Sequence, residues 1–506
     1  MTLPWVHGRS EGSGTFVLAG WVFLRLLGLI YLAAFVSLAV QIKGLVGSAG
    51  ILPAKEFLAA RKHWGAHRFQ RLPTLCWGNA SDGFLMFLAW GGAALAALLI
   101  AGFAPCPVLI LLWGFYLSLF TIGRFFLAYQ WDTLLLEAGF LAIFFAPQEL
   151  APVFPPRAEA SPVILWLYWW LLFRLIFSSG VVKLRSSDST WRRLTALRYH
   201  FETQPLPTPL AWSAHQLPIR IHRAAAALLL AIELGAPFLI AGPPLLRHVT
   251  AASLVLLMAL IQLTGNYSFF NLLGIALSVL LLDDKLLLPV FRWAAHGVAL
   301  APAPPSPRWL DGIAAVVAVV VLSLSMETLR RLFRIEVSWP KSIAKTFEFL
   351  EPFRLVNAYG LFAVMTIERP EIIVEGSNDG AHWLAYEFKW KPGDVRRAPR
   401  FVAPHQPRLD WQMWFAALGY YPNHPWFGRF LRRLLEGSPA VLGLLRTNPF
   451  PDKPPRLVRG VLYDYRFTSR AQRRTTRAWW RRERRGSYSP VFESYITGLP
   501  KRACRR

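Results

Sequence analysis

Nine stretches of nearly unbroken apolar residues fill the first two-thirds of the chain, near 16–40, 84–104, 107–123, 126–146, 164–184, 224–242, 250–265, 270–283 and 312–328. About 20 apolar residues in a helix cover the roughly 30 Å hydrocarbon core of a bilayer, so the pattern predicts eight or nine membrane segments. Two fit less well than the others. The fourth carries Asp132 and Glu137, and the eighth is short and runs into Asp283 and Asp284, so each reads as re-entrant or half-buried against a bundle. The first run is longer than a signal-peptide core and lacks a convincing cleavage site, which makes it an anchor.

After Arg334 the continuous runs give way to alternation. Glu371–Glu375 and Trp383–Trp390 read as strands joined by a turn at Ser377, Asn378, Asp379 and Gly380, and helices follow at Trp411–Leu418 and Phe427–Leu435. The chain therefore divides into a polar leader (1–15), a helical membrane bundle (16–330) with long loops at 41–83 and 185–223, an extramembrane α+β domain (335–490) with a sandwich-like sheet, and a basic tail (491–506).

Composition agrees with this split: 506 residues at 54% apolar and 14% aromatic are too greasy for a soluble enzyme and too charged to be membrane throughout. Three widely spaced cysteines, Cys76, Cys106 and Cys504, exclude a CxxC redox pair and a Cys/His zinc spacing. The net charge is +26, and Lys453–Arg506, with 16 Lys/Arg against 3 acids, supplies +13 of it. A run of this kind reads first as a solvated or disordered face and next as a surface for anionic lipid headgroups. No nucleic-acid-binding fold precedes it, so no nucleic acid is expected as a partner.

Candidate chemistry centres on the ionisable residues inside the predicted spans: Arg25, Asp132, Glu137, Arg174, Lys183 and Glu233. A charge in a span needs a partner or a wet cavity. Asp132 and Glu137 lie about 140° apart around a helix and so serve different partners. One reading makes these residues intrabundle salt bridges, with Arg174 taking one of the acids. The other makes Lys183 a catalytic base with a lowered pKa. His63 and His67, four apart, suit one helical face, but no third metal ligand stands nearby and no metal is expected. Asn79 fits a glycosylation sequon in a loop, and Asn266 fits one that abuts a span. The Gly8–Gly12 GxSxG string has no strand-to-helix context, so its Ser10 is no nucleophile.

The most specific stretch is Tyr168–Pro218, where a span carrying two cations opens into a loop dense in aromatics and prolines. Trp191, Tyr199, Phe201, Pro205, Pro207, Pro209, Trp212 and His215 offer large contact area on a semi-rigid backbone, which suits capture of another chain; they equally suit a membrane-interface belt.

This stretch, with WLLFRLIFSSGVVKL followed by TWRRLTALRYHFETQPLPTPLAWSAHQLP, resembles the lipase maturation factor family. The likeness extends to QIKGLVGSAGILP (Gln41–Pro53), QWDTLLLEAGFLAIFFAP (Gln130–Pro147), TGNYSFFNLL (Thr264–Leu273), APHQPRLDWQMWFAALG (Ala403–Gly419) and LLEGSPAVLGLLRTNPFPDKPPRLVR (Leu434–Arg459). The resemblance implies a polytopic membrane protein that brings secreted lipases to an active fold. It would use no cofactor, stand among membrane lipids, and sit in the endoplasmic reticulum if eukaryotic or the inner membrane if bacterial. The family's transmembrane core also resembles the vitamin K-dependent carboxylases, which keeps open a membrane enzyme using Lys183, His200 and Glu202. Lys/Arg in 41–83 and 185–223 would place those loops in the cytosol, whereas the resemblance places them in the lumen.

Overall fold

The computed structural model describes residues 15–152, 161–295 and 308–494. Most of the polar leader, the Gly8–Gly12 string, Cys504 and most of the basic tail lie outside the described residues. The nine apolar runs form helices: α1 (Val17–Ala39), α2 (Asp82–Ala101), α3 (Pro105–Gly123), α4 (Gln130–Phe145), α5 (Pro162–Arg185), α6 (Ile219–Gly235), α7 (Pro244–Thr264), α8 (Phe270–Val279) and α9 (Arg308–Phe333). Prolines at the first positions of α3, α5 and α7 set a helical φ where no N–H is needed, and the Ser81 hydroxyl caps α2 by accepting from the Phe84 amide.

Among the described residues, seven helices are long and apolar enough to cross a membrane, which makes this an integral membrane protein. The two remaining runs are those the polarity pattern had set apart. Helix α4 has 16 residues and α8 has 10, about 24 and 15 Å of rise, and both are enclosed by their neighbours rather than facing outward. They nevertheless carry the chain from one face of the bundle to the other. At one face, Ala104 donates its amide to the Leu150 carbonyl, and Asp284, just past α8, accepts from the Val17 and Leu18 amides at 2.9 Å, an anion on the N-terminus of α1. At the opposite face, the segments at 41–81, 124–129, 186–218 and 265–269 all meet the C-terminal domain.

That domain begins after helix α10 (Lys341–Leu350) and contains β1 (Arg369–Ser377), β2 (Leu384–Phe388), α11 (Arg408–Ala417), α12 (Pro425–Leu435), β3 (Leu445–Thr447), β4 (Leu457–Phe467), β5 (Trp480–Ser487) and β6 (Phe492–Glu493). The strands form one antiparallel sheet, ordered β3-β2-β1-β4-β5 with β6 on β4, in place of two facing sheets. Strands β1 and β4 pair from Arg369↔Tyr465 to Ser377↔Leu457. Alternation puts Ile372 and Val374 in the main core with Phe427 and Phe430 of α12. Ile373 belongs to the other face, with Tyr465, Phe467 and Trp480, and the loop residue Trp212 covers it.

The basic stretch is more ordered than its charge suggested. Strands β4 and β5 and a short capped helix, Arg470–Thr476, run through it, leaving Arg481, Arg482, Arg484 and Arg485 exposed along β5.

Candidate functional site

Apart from Arg25, which lies beside Gly102 at the opposite face, the ionisable residues of the spans converge on the face that carries the C-terminal domain. Asp132 stands in the first turn of α4. Arg408, the first residue of α11, reaches down to it with a bidentate pair, Nη2 to Oδ1 at 2.8 Å and Nη1 to Oδ2 at 2.9 Å, and both side chains are wholly buried. The Tyr116 hydroxyl on α3 donates to the same carboxylate, and Arg408 Nη1 also donates to the Phe126 carbonyl at 2.8 Å. Around this pair the end of α1 holds the turn that enters α11: Ser37 Oγ accepts from the Gln406 amide at 2.8 Å, and Gln41 accepts from the Arg408 amide at 2.9 Å while donating to the Gln406 carbonyl at 2.8 Å.

Five residues further into α4, Glu137 forms a second socket. Arg174 of α5 pairs with it, as the salt-bridge reading expected. The socket has a further occupant: Glu137 Oε2 accepts from the Asn357 amide at 2.8 Å and from the Tyr359 hydroxyl at 2.6 Å, while Arg174 donates to the Asn357 carbonyl at 3.3 Å. The segment after α10 is thus a wedge between α4 and α5. Lys183 and Glu233 form a third pair, at 2.6 and 2.8 Å, that ties α5 to α6. Arg25 lies with its guanidinium 4.6 Å from the Trp21 ring centroid.

The 185–223 segment completes the junction. Short helices Ser189–Arg192, Ala196–Thr203 and Pro209–His215 interrupt it, the last begun by Pro209 and capped by the Thr208 hydroxyl. Its carbonyls are the targets of Arg369, whose Nη1 donates to Glu202 at 2.7 Å and Nη2 to Pro205 at 2.8 Å. Trp414 Nε1 donates to the Thr203 carbonyl at 2.9 Å, Trp212 Nε1 to that of Thr468 at 2.9 Å, and Trp191 Nε1 to that of Phe362 at 2.9 Å. Asn266 accepts from the Val402 amide at 2.7 Å and donates to the Arg400 and Leu206 carbonyls. Because it is buried in this network, its sequon is closed, whereas Asn79 stays exposed.

Residues 18–288 match the lipase maturation factor transmembrane domain and residues 355–490 the lipase maturation factor C-terminal domain. The chain belongs to the lipase maturation factor family. It is similar to Lipase maturation factor 2 of Gallus gallus (37% identical, covering 93% of this chain and 80% of that one) and of Homo sapiens (36%, covering 91% and 81%). It is also similar to Lipase maturation factor 1 of Bos taurus (33%, covering 94% and 89%). No solved structure matches the chain.

In this maturation-factor chain the residues expected to present a surface mostly face inward. Trp191, Pro205, Pro207 and Trp212 are buried, and Tyr199, Phe201, Pro209 and His215 are half-buried. The physical reason is that the C-terminal domain, invisible to a reading of the loop alone, lands on them. Each of the three residues of the enzyme reading has a different partner. Lys183 is held by Glu233; His200 lies 3.1 Å from the Tyr267 hydroxyl; and Glu202 accepts from the Phe467 amide at 2.5 Å. Burial, together with the Lys183 charge, pushes the His200 imidazole down to about 4, so it is neutral at pH 7. His405, beside Ser37, is also pushed down to about 4, by burial and then by the Arg408 and Lys389 charges.

His63 and His67 do not share a helix, since Gly65 at φ +57° separates them, and among the described residues no three His, Cys, Asp or Glu side chains gather as metal ligands. Gly44 packs against the Ala440 carbonyl so closely that a Cβ would collide with it. The loop reading missed Arg408, Asn357, Tyr359 and Arg369. The one signal for Arg408 was its place inside the Ala403–Gly419 string.

Proposed function

We propose that the protein is a membrane-embedded, non-enzymatic factor that helps newly translocated lipases reach their active fold. The names of its relatives, Lipase maturation factor 2 and Lipase maturation factor 1, support the client class. What carries the non-enzymatic part is that Asp132, Glu137, Arg174, Lys183 and Glu233 are spent on joints between elements, three of them on the C-terminal domain itself. Bundle and domain then act as one platform, with the 185–223 segment as the gasket between them.

Client contact falls to exposed apolar side chains of the domain, Leu418, Tyr420 and Val491, grouped about the Tyr421–Phe492 ring contact at 6.2 Å. The half-buried Tyr199, Phe201 and His215 offer a second, separate contact, with His215 against Phe467 at the other end of β4. The docking face is lumenal in a eukaryote and periplasmic in a bacterium, because long translocated domains escape the charge rule. Removing the protein from its host should lower the activity of each secreted lipase molecule without lowering lipase synthesis. Unchanged activity per molecule would sink the proposal.

A further inference from the structure

Among the described residues, the ring contacts of helix α10 are with the chain that flanks it, Trp339 before and Phe353 after. None of its 10 residues is buried. A helix this short is marginal in water unless one face is covered. Ile343, Phe347 and Leu350 form an apolar stripe at i, i+4 and i+7, and Lys341, Lys345 and Glu348 stand on the opposite side. The approach to the helix exposes Ile335 and Val337 as well.

Two anchors fix its depth. At the start, Trp339 Nε1 donates to Glu327 Oε2 at 2.7 Å, and Arg330 Nη1 donates to the Ile335 carbonyl at 2.9 Å, so the chain folds back alongside the last turns of the spanning helix α9. The Trp339 ring meets that of Phe347 at 5.5 Å. At the end, the Arg354 guanidinium lies 5.6 Å from the Phe120 ring of α3, and the Asn357 amide enters the Glu137 socket. Helix α10 therefore hangs on the outside of the bundle at the level where α9 and α3 leave the hydrocarbon. Its apolar stripe continues the outward face of α9, where Val316, Val319 and Met326 are exposed.

The geometry points to an in-plane membrane helix: α10 lies in the headgroup boundary of the leaflet on the domain side, with Ile343, Phe347 and Leu350 among acyl chains and Lys341 and Lys345 extended to the headgroups. The occupant is lipid, because the stripe is continuous with the membrane-facing belt and is pinned to a spanning helix at both ends. Charge does not select it. Arg330 and Arg331 are both paired with Glu327, and Arg334, Lys341 and Lys345 are matched in number by Glu336, Glu348 and Glu351, so neutral phosphatidylcholine should serve as well as a membrane containing phosphatidylglycerol.

The test places single nitroxide labels at 341, 343, 345 and 347 of the full chain, its native cysteines replaced, in nanodiscs holding one copy each. Labels at Met326 and Arg481 supply membrane and water references. Relaxation by oxygen and by a water-soluble nickel chelate is then compared in phosphatidylcholine with and without phosphatidylglycerol. Positions 343 and 347 should match Met326, with nickel relaxation several-fold lower than at Arg481, while 341 and 345 match Arg481, in both lipids alike. Nickel access at all four positions would put the helix in water and overturn the inference. Shielding of 343 and 347 from both reagents would put protein over the stripe and overturn it too. All four side chains are exposed or half-buried, so labelling leaves the fold intact; depth-calibrated spin-labelled lipids give a second measure of the same immersion.

Discussion

Arg408 closes onto Asp132 across 276 residues of chain, joining the first helical residue after the sheet's opening hairpin to the first turn of a buried membrane segment. Neither charge meets water. Breaking such a pair from one side leaves the other charge buried and unpaired, at a cost of about 3–5 kcal/mol. Replacing both with apolar residues of similar size removes the desolvation penalty together with the attraction.

Arg408→Met should therefore lower the thermal unfolding midpoint of the purified protein and make the C-terminal domain sensitive to protease. Asp132→Leu combined with Arg408→Met should restore most of the loss. A single variant as stable as the wild type would show that the pair does not hold the domain.

The second socket predicts a local effect. Glu137→Gln keeps the shape but loses the ionised acceptor for Arg174, the Asn357 amide and the Tyr359 hydroxyl. Hydrogen exchange at 354–360 should quicken markedly while α1 and α2 stay protected. Tyr359→Phe should give a weaker version of the same pattern, on the order of 1–2 kcal/mol.

Much of this was legible in the sequence, and what was not follows one physical rule. Helices α1–α3, α5–α7 and α9 announce themselves because a spanning helix must be apolar over its whole length. That Arg174 would pair with one of the two acids of α4 was also readable, since a charge among apolar runs could not remain alone; which of the two was not. The partner of Asp132 was not, because Arg408 lies in an outer domain where an arginine needs no explanation. For the same reason Trp191 and Trp212 read as a surface to be presented. An aromatic in a connecting loop looks alike whether water, lipid or a later domain covers it.

Acid should weaken the junction through two histidines. His200 and His405 are pushed down to about 4, against about 6.5 in an unfolded chain, so between these pH values the unfolded state binds more protons. Their contribution is complete above about pH 6.5 and is lost as pH falls toward 4, on the order of 3 kcal/mol each. Melting curves at pH 7 and pH 4.5 should show a large drop for the wild type and a smaller one for His200→Gln/His405→Gln. Equal drops would place the acid sensitivity elsewhere.

Client contact can be mapped with a photo-activated amino acid. Placed at Tyr420, exposed on the domain, it should crosslink to a maturing lipase; placed at Trp191, which is 2% exposed, it should crosslink only within the chain. The reverse pattern would require the junction to open during the working cycle.

The most direct test of the central claim, that charges in the spans serve joints and not chemistry, is the activity of each secreted lipase molecule in cells carrying Lys183→Met/Glu233→Met in place of the wild-type protein. The two residues hold one another, and Lys183 also donates to the Ser179 carbonyl and lies 5.3 Å from the Trp191 ring centroid. The account predicts that the double variant inserts, folds and matures lipase at close to the wild-type level, while Lys183→Met alone is unstable. A double variant that inserts and folds normally yet yields inactive lipase would contradict it.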